Sequence, residues 1–319
     1  MPGTPAPRLI FLLSLPRAGS TLLQRVLGGH PEVATSPEPW ALLPMLSARV
    51  RGAGSAVYDH GTAVTAIEQF VDDEAWASAT RAAGDALYVS AANGKRWFLD
   101  KTPRYALFAE RLIEAYPDAA YVILWRNPLA VLASIFHTWG KDPLGIERHR
   151  VDLYDGLLGL LAAKRRLEGH GSAVEVRYED LVSSPEQHAR RVCDAIGLEF
   201  GTDMIGAVGG RRLEGAVGDP TGQREFSEVD ASPVERWPER LCNPYRRAFA
   251  REYLSWLDAP RDDGESALET MGYDVLELEQ KLGAAPGGWS KWGGDRARAS
   301  RGRRELRARD ALYEREAER

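Results

Sequence analysis

Short apolar runs alternate with amphipathic stretches along most of the chain. Residues 9–13 (LIFLL) are wholly apolar and too short for a helix, so they predict a strand. The turn Pro16-Arg17-Ala18-Gly19-Ser20-Thr21 follows, and then Leu22, Leu23, Val26 and Leu27 recur at helical spacing. Residues 96–99 predict a second strand and 105–116 a helix. The continuous β-favouring run at 120–124 (AYVIL) fits a strand buried on both faces. A helix over 129–138 follows at once. A helix over 153–167, a short strand over 173–177 and a helix from Pro185 to about residue 196 continue the alternation. Strands alternating with helices predict an α/β fold, a parallel β-sheet flanked by helices on both faces.

The remaining stretches are less regular. Between the first two strands, 41–50 and 67–87 are helix-rich and 51–61 reads as a Gly-containing loop. This helical insertion, about 39–95, is equally a lid, an acceptor-binding element or a set of packing helices. Residues 201–242 are rich in Gly, Arg and Pro with little periodicity, a kind of segment that is often functional. An amphipathic helix is predicted over 244–256. Residues 295–319 are crowded with Arg and Glu and read as an exposed helix or a charged tail. The expected organisation is one domain over 1–290 and a charged C-terminal element over 291–319.

Composition narrows the class. At 319 residues the chain can bury a sizeable core, and 44% hydrophobic with 27% charged residues reads as ordinary and globular. A net charge of −5 gives no reason to expect nucleic-acid binding. Cys193 and Cys242 do not make a disulfide framework, which favours a reduced compartment. No run approaches the roughly 18 apolar residues of a membrane span. The apolar start runs straight into the turn at Pro16, so it reads as a core strand rather than a leader, and the expected location is the cytoplasm. The oligomeric state stays open, a homo-oligomer included.

Strand, small-residue turn and helix form a P-loop-type layout, in which backbone N–H groups and the helix dipole face an anion. A Walker loop, G-x-x-x-x-G-K-[ST], laid over this turn gives Ser14, Gly19, Ser20 and Thr21. The Lys that reaches β- and γ-phosphates is replaced by Ser20. Such a loop suits a shorter anion, a 5′-phosphate carrying one further group, with Arg17 as its cation. Arg17, Lys101, Arg126 and Tyr178 each stand just past a predicted strand, where phosphate sites on parallel sheets lie. The histidines have no ligand-type spacing, so no metal is expected.

The motif LPRAGSTLLQRVLGGHPEV resembles the 5′-phosphosulfate loop of sulfotransferases that use 3′-phosphoadenosine 5′-phosphosulfate (PAPS). Arg in place of Lys, followed by H-P-x-V and then Glu38, is most similar to the tyrosylprotein-sulfotransferase-like branch (Sulfotransfer_3 type). LDKTPRY, the Arg126 to Ser134 spacing and VRYEDLV strengthen the match. The resemblance implies that Arg17, Ala18, Gly19, Ser20 and Thr21 hold the phosphosulfate and that Arg17 and Lys101 stabilise the leaving phosphate. Arg126 and Ser134 bind the 3′-phosphate, Arg with its fork of donors, and Tyr178 lies near the nucleotide. Ser232 and Arg236 fall where the family has a late loop closing over it. Glu38 acts as general base on the acceptor, the alternative being a helix-entry carboxylate. The product is 3′-phosphoadenosine 5′-phosphate (PAP). The acceptor side shows no correspondence, so a small-molecule or carrier-bound hydroxyl or amine is expected over protein tyrosine. Two rivals are a P-loop small-molecule kinase, which needs a γ-phosphate Lys and a Mg²⁺ carboxylate, and a non-catalytic nucleotide-binding protein.

Overall fold

The computed structural model describes residues 6–50, 60–206, 234–261 and 263–317, with side chains as far as residue 307. Five parallel strands form one sheet: β1 (Arg8–Ser14), β2 (Val33–Thr35), β3 (Trp97–Asp100), β4 (Ala120–Trp125) and β5 (Ala173–Arg177), in the order β2-β3-β1-β4-β5. Central β1 pairs with β3 and β4, so Phe11 stands opposite Asp100 on one side and Tyr121 on the other. Because side chains alternate across a strand, β1 divides its residues between two cores. Leu9, Phe11 and Leu13 face one, and Ile10 and Leu12 face the other; in β4, Tyr121, Ile123 and Trp125 oppose Ala120, Val122 and Leu124 in the same way.

Helices cover both faces. The second core is closed by α1 (Ser20–Gly28), through Leu22, Leu23, Val26 and Leu27, and by the Pro185–Ile196 helix through Val192, Cys193 and Ile196. The first core is aromatic: the rings of Tyr88, Tyr105, Tyr116 and Tyr121 lie 5.2–6.3 Å from Phe11. Tyr88 comes from α4 (Asp73–Ala92), which with α2 (Leu43–Ser47) and α3 (His60–Phe70) is the helical part of 39–95. Asp72 caps α4, its carboxylate accepting from the Ala75 N–H at 2.7 Å. That helix is therefore a core-packing element.

The predicted strands and the helix at 129–138 fall where expected, the helix running Pro128–Thr138. The pattern missed β2, whose three residues are too few for alternation to show. The helix expected over 105–116 opens as a 3-10 turn, Pro103–Phe108, before α5 (Ala109–Ala115). Beyond α5 and α6 (Pro128–Thr138) come α7 (Arg150–Leu153), α8 (Asp155–Arg166), α9 (Tyr178–Ser183) and α10, the Pro185–Ile196 helix. They are followed by α11 (Asp203–Gly206), α12 (Trp237–Arg240), α13 (Pro244–Asp258), α14 (Ala267–Met271), α15 (Val275–Ala284) and α16 (Trp292–Ala317). The charged C-terminal stretch is thus a helix. It is anchored by Asp295, 4% exposed, which accepts from Arg246 Nε at 2.7 Å and Asn243 Nδ2 at 2.9 Å. Among the described residues no helix is long and apolar enough to cross a membrane.

Candidate active site

The carboxyl ends of β1, β3, β4 and β5 all open on one cleft of about 840 Å³, counting its mouth. The loop after β1 forms its floor. Gly19 is left-handed (φ 92°) and α1 begins immediately after it, with no side chain capping its first turn. The first-turn N–H groups and the positive end of the dipole therefore serve whatever anion enters. Two constraints fix Gly at 19. A side chain is disfavoured at that φ, and a Cβ there would lie 2.3 Å from Tyr178 Cδ2. Ser20 and Thr21 line the cleft, whereas Ala18 is 1% exposed and packs inward.

Arg17 also has a positive φ, 69°. Its Nε donates to Ser134 Oγ at 3.1 Å, and its guanidinium lies 5.6 Å from the Trp139 ring. Arg126, just past β4, donates from Nη1 to the Arg17 carbonyl at 2.9 Å and sits 4.3 Å over the Tyr178 ring. Burial pulls the Arg126 guanidinium below its usual pKa, and Tyr178 and Glu179 oppose that shift. Its Nε is buried without a hydrogen-bond partner, so the group still has a donor to give. The local sequence explains this placement. Asn127 caps α6 by accepting from Leu129 N and Ala130 N, and Pro128 at the first helical position stops the strand at Trp125. Arg126 is left in the bend, with Ser134 two turns into the helix.

Glu38, also in the lining, belongs to an ion pair. Lys101 Nζ lies 2.8 Å from Glu38 Oε1, with side chains 2% and 15% exposed. Each partner is held separately. Asp100, at the end of β3, accepts from Tyr88 OH (2.7 Å), Tyr105 OH (3.0 Å) and Thr102 Oγ1 (2.8 Å), which fixes the backbone on both sides of Lys101. Burial raises the Asp100 pKa, and those three hydrogen bonds pull against it. Glu38 is positioned through β2: Gln24 Nε2 donates to Thr35 Oγ1 and to the Ser36 carbonyl, at 2.7 and 2.8 Å. Glu38 and Trp40 both have positive φ, 36° and 55°. With Arg17 they make three non-glycine residues in that region around one cleft, each such residue costing on the order of 1–3 kcal/mol.

The expected residues thus divide. Arg17, Gly19, Ser20, Thr21, Glu38, Arg126 and Tyr178 line the cleft. Lys101 and Ser134 lie just behind that lining, reaching it through Glu38 and Arg17. Arg236 stands exposed at the start of α12 and is not among the lining residues. Ser232 lies outside the described residues. Further lining residues include Arg104, Trp139, His149 and Asp152, with the Trp139 ring beside the Arg17 guanidinium. Arg104 was within reach of sequence reading, being three residues beyond Lys101 in DKTPR. The others come from the end of α6 and the short 3-10 and α7 turns after it, where nothing in the sequence pattern marks them.

Comparison with known proteins agrees with the geometry. The sequence profile of the sulfotransferase family matches residues 7–202. The nodulation protein NoeE of Sinorhizobium fredii is 33% identical over 267 residues, covering 75% of this chain and 62% of that protein. Protein-tyrosine sulfotransferase 2 of Gallus gallus is 23% identical, covering 83% of this chain and 69% of its own. Among solved structures, the sulfotransferase domain of the curacin biosynthetic pathway superposes with a TM-score of 0.56 at 23% identity, covering 84% of this chain and 98% of its own. The sulfotransferase domain of a Synechococcus olefin synthase gives 0.52 at 27% identity, covering 74% and 90%. The phosphate-type loop, the strand-end cations and the profile match carry one conclusion: this chain belongs to the sulfotransferase family, the PAPS-dependent transferases whose phosphosulfate loop its own loop resembles.

Proposed function

We propose that the protein moves the sulfuryl group of PAPS to a hydroxyl or amine of a small-molecule or carrier-bound acceptor. The observation that carries this is the convergence of four strand-end groups on one cleft. The anion loop, Arg126 and the Glu38–Lys101 pair line or border that cleft, which supports their roles toward donor, second phosphate and acceptor. Both cysteines are unpaired, and on that ground we place the protein in the cytoplasm.

In this reading Glu38 takes the proton of the acceptor as its heteroatom bonds to sulfur. The bond between sulfur and the bridging oxygen breaks, and the electron pair stays on the departing 5′-phosphate. Arg17 and the loop N–H groups meet that charge. Lys101 has two partners in turn. Paired with Glu38 it holds the carboxylate in place, and by turning to the departing phosphate it leaves Glu38 to accept a proton. Arg126 and Ser134 take the 3′-phosphate, which requires Ser134 to exchange its bond with Arg17 for one with the ligand. Calorimetric titration with PAP, 5′-AMP and Mg-ATP, beside Arg126→Ala, tests the donor. Preference for PAP that the variant loses is the expected result. Preference for Mg-ATP, or an Arg126→Ala protein that binds PAP unchanged, would refute it.

A further inference from the structure

In the same cleft, next to Trp139, three polar side chains form a unit that the donor chemistry does not use. Arg104 grips Asp152 with both edges of its fork, Nε to Oδ1 at 2.8 Å and Nη2 to Oδ2 at 3.0 Å. His149 Nδ1 lies 3.4 Å from the same Oδ2, and its ring stacks on Trp139 with centroids 4.5 Å apart and planes 13° from parallel. The imidazole is 7% exposed, and its Nε2 is buried with no hydrogen-bond partner. A carboxylate only accepts, so Nδ1 carries the proton, and in the neutral ring Nε2 is left as a bare acceptor. The segment bearing it is firmly held. Glu147, two residues earlier, bonds Arg150 at 2.9 Å and Arg303 of α16 at 2.7 Å. Gly302 packs so closely on Leu144 that a Cβ there would lie 2.3 Å from its carbonyl oxygen.

A buried acceptor left unmatched carries a desolvation penalty, and a rigid ring offers it no local remedy. We propose that His149 is an acceptor-binding residue: Nε2 takes a hydrogen bond from a hydroxyl or N–H of the acceptor other than the group that is sulfated. Asp152 and Arg104 are positioning residues that fix its tautomer and orientation. The acceptor is then a compound with at least two polar hydrogens, a polyol or an amide-bearing alcohol, and simple monohydric alcohols are poor substrates. This rests on the sulfotransferase reading for the identity of the donor site in the same cleft.

The test uses the full chain loaded with PAP, and myo-inositol as probe. It carries a hydroxyl on every ring carbon, so no spacing is assumed. Inositol affinity is measured by NMR titration for the wild type, His149→Phe and His149→Gln, with the PAP affinity of each measured by calorimetry. The expected result is several-fold to about tenfold weaker inositol binding in His149→Phe, the worth of one hydrogen bond. His149→Gln, whose amide oxygen can take the place of Nε2, should restore most of it. PAP affinity should stay within about twofold throughout, which reports that the fold and the donor site are intact. Equal inositol affinity in the wild type and His149→Phe overturns the proposal, and so does an absence of saturable inositol binding to the wild type. If PAP itself fails to bind the wild type, the donor reading falls, and the same inositol titrations on the unloaded protein still judge His149.

Discussion

One methyl group at position 19 would test the anion loop more sharply than loss of a charge. The space a Cβ would fill is already occupied by the Tyr178 ring, and the φ of 92° disfavours any side chain. Gly19→Ala is therefore expected to displace Tyr178 or reshape the loop, and PAP affinity measured by calorimetry should fall at least tenfold. An unchanged affinity would mean that the loop does not hold the phosphate. Glu38→Gln separates chemistry from binding. With any working acceptor, kcat should fall by about 10²–10⁴-fold, the usual worth of a general base, while PAP affinity changes little. The residues that sequence reading reached lie in contiguous motifs directly after strands, where residue type and position point the same way. His149 and Asp152 escaped it because they meet the cleft only through a fold of the chain with no periodic signal. Arg236 is a motif-like position that is exposed and not among the lining residues.

Among the elements, the long apolar strands were legible because burial on both faces leaves them no polar positions, and β2 was not because three residues cannot show a pattern. The 3-10 opening of the predicted helix at 105–116 was equally hidden, since tertiary packing imposes it. Gly159 in α8 lets that turn approach so closely that a Cβ would stand 1.9 Å from the Ala106 carbonyl oxygen. Gly159→Ala should therefore destabilise the protein by about 1–3 kcal/mol through overpacking, although alanine is the better helix former. Urea unfolding with an unchanged slope would read this directly, and a more stable variant would show that the two elements can move apart freely. The C-terminal helix was open between tail and helix in sequence because its charges mask the few residues that dock it.

At the level of the whole molecule, α16 is tied down by a buried carboxylate. Burial alone would raise the Asp295 pKa, but hydrogen bonds from Arg246 and Asn243 outweigh it and hold the group below its ordinary 3.8. A depressed native pKa contributes stability that is present above that ordinary value and disappears as pH falls through the native one. Stability measured from pH 5 downward should thus drop below about pH 4 more steeply in the wild type than in Asp295→Asn, and parallel profiles would remove Asp295 from the acid response. Burial also pushes the Cys193 thiol up to about 11. At pH 8 iodoacetamide should label the half-buried Cys242 and spare Cys193 until the protein unfolds. The three non-glycine residues with positive φ at the cleft have a wider consequence. Conformational energy is concentrated at Arg17, Glu38 and Trp40, so a selection for heat tolerance alone would find its cheapest gains there, by glycine replacement or loop relaxation. Variants chosen that way would keep the sheet and both cores and lose turnover. Directed evolution of this scaffold should therefore screen for activity and melting temperature together from the first round.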